Sequence, residues 1–324
     1  MQNSVVRVET VTTDDYVRDV LPLSFSLWGG GRTFERYASD FRHSAASAQP
    51  KPFTVGLREA GTVACSCKLY DRELRDGDAT LRAIGIGAVF TSPAERGRGL
   101  ASLMLGALLD GERDAGYDLA FLYSDIHPAF YQKLGFLAVP SRSISLRAAL
   151  LDGTPCGCEP LENADWAAVR RCFEALDRQR PWSLRRSPRA WEVMRARANG
   201  PARGGEQPVR LLVRRGRSVA AYVLGYRVPR KDAFAIDDLA FDGTAGRAVL
   251  GPLLRAAAGD LRRVTGWLPP EPVRGALPQG SVRARKDAIL MWATLSSRGR
   301  RWWADNSEAM RNSRADTSWS ADHI

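Results

Sequence analysis

The clearest pattern in the chain is a short apolar run followed by a helical repeat. Residues 81–91 are rich in Ile, Val and Gly and stop at Ser92-Pro93, which is typical of a buried strand that runs into a loop. From residue 99 to residue 116, Leu, Met and Ala recur at helical spacing, and the segment ends at a glycine. The pattern predicts a strand, a glycine-bearing loop and a helix. Such a helix N-terminus is an anion site, because free backbone N–H groups meet there at the positive end of the helix dipole.

Alternation and helical spacing also predict the other elements of the first 150 residues. Before the apolar run they predict a strand, two helices and a hairpin, at residues 5–8, 14–27, 33–42, 53–58 and 63–69. After the glycine-bearing loop and its helix they predict a strand at 119–123, a helix around residue 131 and a last strand at 141–146. The fold class predicted by this order is α/β, with a mixed sheet.

Two motifs lie on these elements. Arg96, Gly99 and Ala101 have the spacing Arg-x-x-Gly-x-Ala, and thirty residues further on comes Phe130-Tyr131-Gln132-Lys133-Leu134-Gly135-Phe136. In this order and separation, they resemble the pyrophosphate loop and second motif of the GNAT superfamily, over about residues 5–147. The resemblance implies a GNAT fold and an N-acyltransferase that uses an acyl-CoA, expected to be acetyl-CoA. An ordinary strand-to-helix turn would explain the glycines, but it would predict nothing about Tyr131.

The same resemblance implies the residues that bind the co-substrate. The end of the central strand would pair its backbone with the pantetheine arm, and the loop would give N–H groups to the pyrophosphate. The strand residues are Val89, Phe90 and Thr91, and the loop residues are Arg96, Gly97, Arg98, Gly99, Leu100 and Ala101. An alternative for the Arg98 side chain is that it is simply solvated.

Tyr131 is the predicted general acid, which gives its proton to the departing CoA thiolate. A phenol with a pKa of about 10 keeps its proton near neutral pH, so the residue type suits the role. The alternative is a ring that only packs beside Phe130 and Phe136.

Trp28 is a candidate for substrate binding. Three glycines follow it, and it lies where family members place substrate-facing loops. The alternative is a tight turn with a buried Trp.

The general base is harder to assign. A lysine-like amine with a pKa of about 10.4 must lose a proton before it attacks, which costs about 4–5 kcal/mol near pH 7. Many family members carry a glutamate on the central strand, but residues 83–89 contain no carboxylate. Asp125 and His127 are the nearest ionisable candidates. His127 precedes Pro128, so shaping a turn is its alternative role.

The second half repeats the plan of the first. Residues 151–160 are rich in turn formers and predict a boundary between a catalytic domain at 1–150 and a second domain at 151–324. Helices at 163–176 and from 187, a hairpin at 209–227, a strand at 234–241 and a helix at 246–258 follow in the same order. The loop at 242–246 lacks Arg-x-x-Gly-x-Ala. The second domain is therefore predicted to be a degenerate copy that forms one wall of the substrate pocket.

A complete GNAT domain followed by a degenerate one resembles the tandem-GNAT acetyltransferases related to Eis. Eis proteins carry a third, sterol-carrier-like domain, and this chain ends too soon to contain one, so their substrate preference is not transferred. In those relatives the C-terminal carboxylate reaches the active site as the base. By analogy the Ile324 carboxylate, with Asp322 or His323 beside it, is a candidate base, and its alternative is a frayed terminus.

Charge is distributed unevenly along the chain. Residues 1–150 contain 17 Lys+Arg and 17 Asp+Glu, whereas residues 151–324 contain 30 and 19, so the whole net charge of +11 lies in the second half. That half also contains eight of the nine Trp residues. The excess indicates either a solvated basic surface or an anionic partner, such as tRNA or an acyl-carrier protein. Polyanion binding, or CoA binding without turnover, is therefore the alternative function.

Cysteine spacing and hydropathy exclude other classes. The pairs Cys65/Cys67 and Cys156/Cys158 are Cys-x-Cys, closer than the usual zinc spacing, so no metal is predicted. No apolar run approaches the roughly 18 residues of a membrane span, and the N-terminus lacks a leader pattern, so the protein is expected to be cytoplasmic. The predicted acceptor is a primary amine of a small molecule, such as an antibiotic or another natural product.

Overall fold

The computed structural model describes residues 7–46, 49–200, 205–312 and 319–323, and it is a mixed α/β structure built on two sheets. Within these residues one sheet has 8 strands and the other has 7. The strands are β1 Glu9–Thr10, β2 Thr54–Glu59, β3 Thr62–Asp76, β4 Ala79–Thr91, β5 Leu119–Ser124, β6 Leu137–Ala138, β7 Arg142–Arg147, β8 Glu159–Pro160, β9 Trp182–Leu184, β10 Gln207–Arg215, β11 Ser218–Val228, β12 Ala233–Phe241, β13 Arg263–Trp267, β14 Ser281–Ala284 and β15 Ile289–Thr294. The helices are α1 Thr13–Asp15, α2 Leu21–Trp28, α3 Phe34–Ala46, α4 Leu100–Asp114, α5 Ala129–Gln132, α6 Trp166–Asp177, α7 Pro188–Ala198, α8 Gly243–Ala258, α9 Glu271–Arg274 and α10 Ser297–Arg311, and a π-helical turn, Tyr16–Val20, joins α1 to α2. In the described part of the chain, no helix combines the length and hydropathy that crossing a bilayer requires.

The first sheet has the order β1-β2-β3-β4-β5-β15-β6, and β9 adds to β3. Helix α4 covers one face with a buried stripe formed by Leu100, Met104, Leu105 and Leu108, as its spacing predicts. The second core of this half is an aromatic cluster that the π-helical turn, α2 and α3 help to form, and it includes Tyr16, Phe41, Phe53 and Phe90. The predicted strand at residues 5–8 falls partly outside the described residues.

The two sheets exchange strands. β15, from the second half of the chain, lies between β5 and β6, and β7, from the first half, lies between β13 and β14 in the second sheet. The prediction of a strand near residues 141–146 is confirmed by β7, which belongs to the second sheet. A local pattern indicates that a segment is a strand without indicating its neighbours. Division of function between residues 1–150 and 151–324 stays a prediction.

The second sheet has the order β14-β7-β13-β12-β11-β10-β8, and α6 and α8 pack on it. β12 ends at Phe241 and α8 begins at Gly243, so only Asp242 separates strand from helix. A Cβ added at Gly246 would lie 2.1 Å from the Ala220 carbonyl oxygen, which shows how closely α8 packs against the sheet. The equivalent stretch of the first half is longer, running from Thr91 to Leu100.

Candidate active site

A wedge opens between β4 and β5. The two strands pair in parallel at residues 83–85 and 119–121, after which β4 continues to Thr91 while β5 continues beside β15. Ala88 has a φ of 47°, and the pairing with β3 shifts register there, so β4 carries a bulge that bends it. The predicted pantetheine-binding residues Val89, Phe90 and Thr91 form the end of β4 beyond this bulge. Their backbone groups face an opening in which an extended arm could pair like a short strand.

The predicted anion loop lies at the end of β4. Gly97 has a φ of 80° and Gly99 a φ of 75°, both in the left-handed region, and a Cβ added at either would meet no atom within 4 Å. Gly99 is the N-cap of α4, and its carbonyl accepts from the Leu103 N–H at 3.1 Å. The N–H groups of Leu100 and Ala101 precede the first donor of the helical ladder, so they point out of the helix end. This geometry suits the binding of a phosphate.

Two arginines of the loop have partners within the protein. The Arg98 guanidinium contacts the Glu95 carboxylate and lies 3.4 Å from Glu59. Arg96 donates from Nε to the Thr91 carbonyl at 3.4 Å, which ties the loop to the end of β4. A phosphate that recruited the Arg98 side chain would compete with two carboxylates, so backbone N–H groups are the better anion donors here.

Tyr131 lies on α5, a single helical turn after β5, and is 8 % exposed. Its ring centroid is 4.9 Å from that of Phe130 and 6.0 Å from that of Phe136. Burial raises the pKa of Tyr131 to about 12, with smaller contributions from Cys67 and Asp125. The phenol therefore keeps its proton at neutral pH while its ring packs in the core. The packing alternative and the general-acid role are compatible at this residue.

The two ionisable candidates after β5 are exposed and hydrogen-bonded to backbone. Asp125 Oδ1 accepts from the Ala288 N–H at 3.0 Å, which fixes the turn before β15. His127 Nδ1 accepts from the Ala129 N–H at 3.2 Å, at the start of α5. This geometry suits turn shaping at His127, and it leaves one carboxylate oxygen of Asp125 for other contacts.

Trp28 ends α2 and covers the end of β4. Its ring centroid lies 6.0 Å from that of Phe90, at an interplanar angle of 66°. Arg32 holds the following loop, since its Nη2 donates to the Trp28 carbonyl at 2.8 Å. The loop then borders a cleft of about 750 Å³ between α3 and α7, which also includes Arg197 and Tyr226 of the second half. Trp28 thus lies between the end of the central strand and a cleft large enough for a small molecule.

The described end of the chain is docked, so the expectation of a frayed terminus is wrong for residues 319–323. Trp319 is 2 % exposed. Asp322 accepts from Arg186 Nε at 2.7 Å, and Arg186 in turn makes bonds of 2.8 and 2.9 Å to both carboxylate oxygens of Asp238. The Tyr222 hydroxyl donates to Asp238 at 2.6 Å. Ile324, the predicted base, lies outside the described residues.

His323 places an imidazole beside the end of β5. Its ring centroid lies 5.3 Å from that of Tyr123 and 6.0 Å from that of Trp267, and within the described residues its buried Nε2 has no hydrogen-bond partner. Burial lowers the pKa of His323 below 6.5. The charges that also act on it are carried by Asp125, Arg197, Arg285 and Asp287. A neutral imidazole at pH 7 can accept a proton.

Sequence reasoning missed the buried charges that hold this end of the chain. Asp238 is fully buried in β12, where it follows Asp237 within the run Phe234–Phe241 whose other residues are apolar, and Arg186 is 8 % exposed. An acidic residue inside a buried strand is the signal that could have indicated an ion pair. Its partner could not be read from the sequence, because Arg186 and Asp238 are 52 residues apart.

A split parallel strand pair followed by a glycine-bearing loop at a helix N-terminus is the arrangement of a GNAT-type fold. Residues 13–139 match the family described as acetyltransferase (GNAT) domain. The N-terminal part of the chain is therefore a GNAT acetyltransferase domain, and the protein is an acyltransferase. Acyl-CoA is the co-substrate of this fold. No curated protein sequence matches the chain.

Solved structures are similar to the chain over nearly its whole length. A GCN5-related N-acetyltransferase from Kribbella flavida has a TM-score of 0.67 at 19% identity, covering 90% of this chain and 73% of that one. Eis1 from Mycobacterium abscessus has a TM-score of 0.59 at 12% identity, covering 89% and 73%. A tandem GNAT protein from the clavulanic acid biosynthesis pathway has a TM-score of 0.51 at 13% identity, covering 90% and 98%. At these identities the likeness shows the fold, and it confirms the predicted tandem GNAT architecture.

Proposed function

We propose that the protein transfers an acetyl or another short acyl group from CoA to a primary amine of a small molecule. The wedge between β4 and β5, with the glycine-bearing loop at its end, is the observation that carries the proposal. It offers an extended arm a strand edge at Val89, Phe90 and Thr91, and it offers a pyrophosphate the N–H groups from Gly97 to Ala101. The thioester would then lie near the β4 bulge.

The amine attacks the thioester carbonyl directly, and the leaving thiolate takes its proton from Tyr131. Burial that raises the pKa of Tyr131 to about 12 supports this role, since the phenol stays protonated until a thiolate forms. The amine, which is a cation in water, must first lose a proton. His323 supports that step because its imidazole is buried and its pKa is lowered below 6.5.

Asp322 has a different task. Its two oxygens accept from Arg186 at 2.7 and 3.2 Å, so its charge is balanced within the fold. We assign Asp322 to holding the end of the chain in position, and His323 together with the Ile324 carboxylate to accepting the proton of the amine. Asp125 supports this assignment as the nearby carboxylate whose charge favours the protonated imidazole.

Calorimetric titration of acetyl-CoA into the wild type and Gly99→Glu tests co-substrate binding. We expect the variant to lose binding, because a carboxylate would occupy the anion loop and an L-residue is strained at a φ of 75°. Gly216→Glu is the matched control, since Gly216 has a φ of 60° and an equally open Cβ position at the tip of a hairpin in the second half. The control separates backbone strain from loss of the anion site.

A thiol-release assay over a panel of primary amines tests turnover. Release of CoA with some amine by the wild type, and not by Gly99→Glu, supports acyl transfer. If the wild type binds no acetyl-CoA, the proposal fails and polyanion binding by the basic second half becomes the better reading. Binding without release to any amine would instead indicate a CoA-binding protein.

A further inference from the structure

The second sheet has an opening of its own between two parallel strands. β12 and β13 pair only at residues 233–235 and 263–265, after which β12 continues beside β11 and β13 continues beside β7. Asp237 lies two residues beyond the last pair, and the register with β11 shifts there, so β12 carries a bulge. We call this opening, between residues 236–241 and the end of β13, the second wedge. It corresponds to the wedge that β4 and β5 form beside the β4 bulge.

The second wedge is occupied by residues 319–323, here called the tail. The Ser320 hydroxyl donates to the Asp237 carboxylate at 2.6 Å and lies 3.3 and 3.4 Å from the backbone carbonyl oxygens of Asp237 and Ile236. Both residues lie beyond the last pair with β13. Trp319 is buried in the hydrophobic core of the second half. The tail therefore contacts β12 at the edge that an extended ligand would use.

A buried arginine fixes the tail to the same strand. Arg186 donates from Nε to Asp322 at 2.7 Å, while its two Nη atoms donate to Asp238 at 2.9 and 2.8 Å. Its guanidinium carbon lies 3.8 Å from the ring centroid of Phe173. Because the guanidinium is planar and its donors have fixed directions, the positions of the two carboxylates are linked. Asp237 and Asp238, adjacent on β12, thus hold the tail through two separate contacts.

The docked tail presents His323 to the first domain. Its ring contacts Tyr123 of β5 on one side and Trp267, the last residue of β13, on the other. The His323 N–H donates to the Ser320 carbonyl at 3.2 Å, so the orientation of the imidazole depends on where Ser320 is docked. Arg186 follows β9, which pairs with β3 of the first sheet. The residue that holds the tail is therefore itself anchored to both sheets.

We propose that the second wedge is a binding site for the tail, and that docking there positions His323 for proton transfer at the site of the first domain. Arg186, Asp237 and Asp238 are then positioning residues that act through the tail. The inference rests on the proposed function, since His323 is the base assigned there. It also accounts for the connection between β12 and α8, the single residue Asp242, because a wedge that holds the tail needs no pyrophosphate loop.

Hydrogen exchange, followed by mass spectrometry, measures docking without reference to activity. Three amides donate within the tail at 2.9 to 3.2 Å, and we expect them to be protected in the wild type. Ser320→Ala loses the bond to Asp237, so its tail amides should exchange about 10-fold or more faster. Ser281→Ala is the matched control, because the Ser281 hydroxyl lies 3.4 Å from the Ser145 carbonyl oxygen at an exposed position of the same sheet. The control should leave the exchange of the tail unchanged.

Turnover shows whether docking positions the base. Ser320→Ala and Asp237→Ala should lower kcat about 10-fold or more while the Kd of acetyl-CoA stays within about twofold. Asp237→Asn keeps an oxygen that accepts from Ser320, so it should retain most of the rate. Imidazole added to the assay should restore part of the rate of Ser320→Ala and of His323→Gln, and none of that of Tyr131→Phe. A free base can replace the imidazole of the tail, whereas it cannot replace the acid.

These measurements separate the inference from the proposed function. If the tail of the wild type is unprotected, or if Ser320→Ala frees the tail without lowering kcat, the inference is overturned and the acyl transfer stands. Failure of imidazole to restore either variant would also overturn it, since the lost rate would then not be the loss of a base. Calorimetry should find one acetyl-CoA per chain, and two would mean that the second wedge takes the co-substrate instead of the tail. A wild type that neither binds acetyl-CoA nor releases thiol would overturn the proposed function, while hydrogen exchange would still decide whether the second wedge holds the tail.

Discussion

Replacing Lys68 with methionine should stabilise the protein. The ammonium lies among Tyr16, Phe41 and Phe53, and its pKa falls from 10.5 to about 8 because burial disfavours the charged form. A drop of this size corresponds to about 3 kcal/mol of lost stability at pH 7. The cation–π contacts with the three rings offset part of it, at about 0.5–1 kcal/mol each. Methionine removes both terms and fills the same space, so we expect a net gain of up to about 1.5 kcal/mol.

The sign of the pH dependence provides a second check. Between pH 8 and pH 10.5 the unfolded chain holds a proton on Lys68 that the folded chain has lost, so wild-type stability rises with pH in this window. The advantage of Lys68→Met should be largest at pH 7 and should shrink as the pH approaches 10.5. Urea unfolding of both proteins across this range measures the difference. At pH 7 the unfolding temperature should rise by up to about 5 °C.

Lys51→Met is the matched control, with the opposite expectation. Lys51 lies 2.7 Å from the buried carboxylate of Glu112 and over the ring of Tyr117, so its loss leaves a buried charge unpaired and should destabilise the fold. If Lys68→Met is as destabilising as Lys51→Met, or if its effect does not change with pH, the ammonium is not a desolvated charge and the reasoning is refuted.

Three further predictions concern the acid, the base and the ion network. Tyr131→Phe should lower kcat by about 100-fold or more while the Kd of acetyl-CoA stays within about twofold, and steady-state thiol release with calorimetry checks this; an unchanged kcat would remove the residue as the acid. In the wild type, kcat/KM should fall on the acid side with a pKa below 6.5, and His323→Gln should lose this limb along with most of its rate; a limb that persists in the variant assigns it to another group. Asp238→Asn should cost about 3–5 kcal/mol in urea unfolding, because Arg186 loses its bidentate partner inside the core; a cost below about 1 kcal/mol would mean that the pair is solvated.

The strand, loop and helix that frame the co-substrate site could be predicted closely from the sequence. The apolar run at residues 81–91 corresponds to β4, Ala79–Thr91, and the helical repeat from residue 99 corresponds to α4, which begins at Leu100. Their periodicity is a local property, and the left-handed glycines follow from a motif with fixed spacing. Only the length of the helix around Tyr131 was left open, and it is a single turn.

The remaining features depend on contacts between distant segments. Arg186 meets Asp322 across 136 residues of sequence, and Lys68 becomes an unmatched cation only when three aromatic rings from separate elements surround it. No local pattern distinguishes these residues from exposed charges. Some of the basic residues of the second half form buried ion pairs, as Arg186 does with Asp238 and Asp322. The net charge of the sequence does not reveal these pairs.

The exchanged strands bear on how such a chain can be inherited. β5 is buried along its whole length and pairs with β15 from Ser124 to Leu119, so a first half produced alone would expose an apolar edge ready to aggregate. The second half would in turn lack β7, which separates β13 from β14. If a gene lost the part that encodes the second copy, the first copy would therefore no longer fold on its own. Selection for a folded protein can therefore retain the second copy even though it lacks the Arg-x-x-Gly-x-Ala loop.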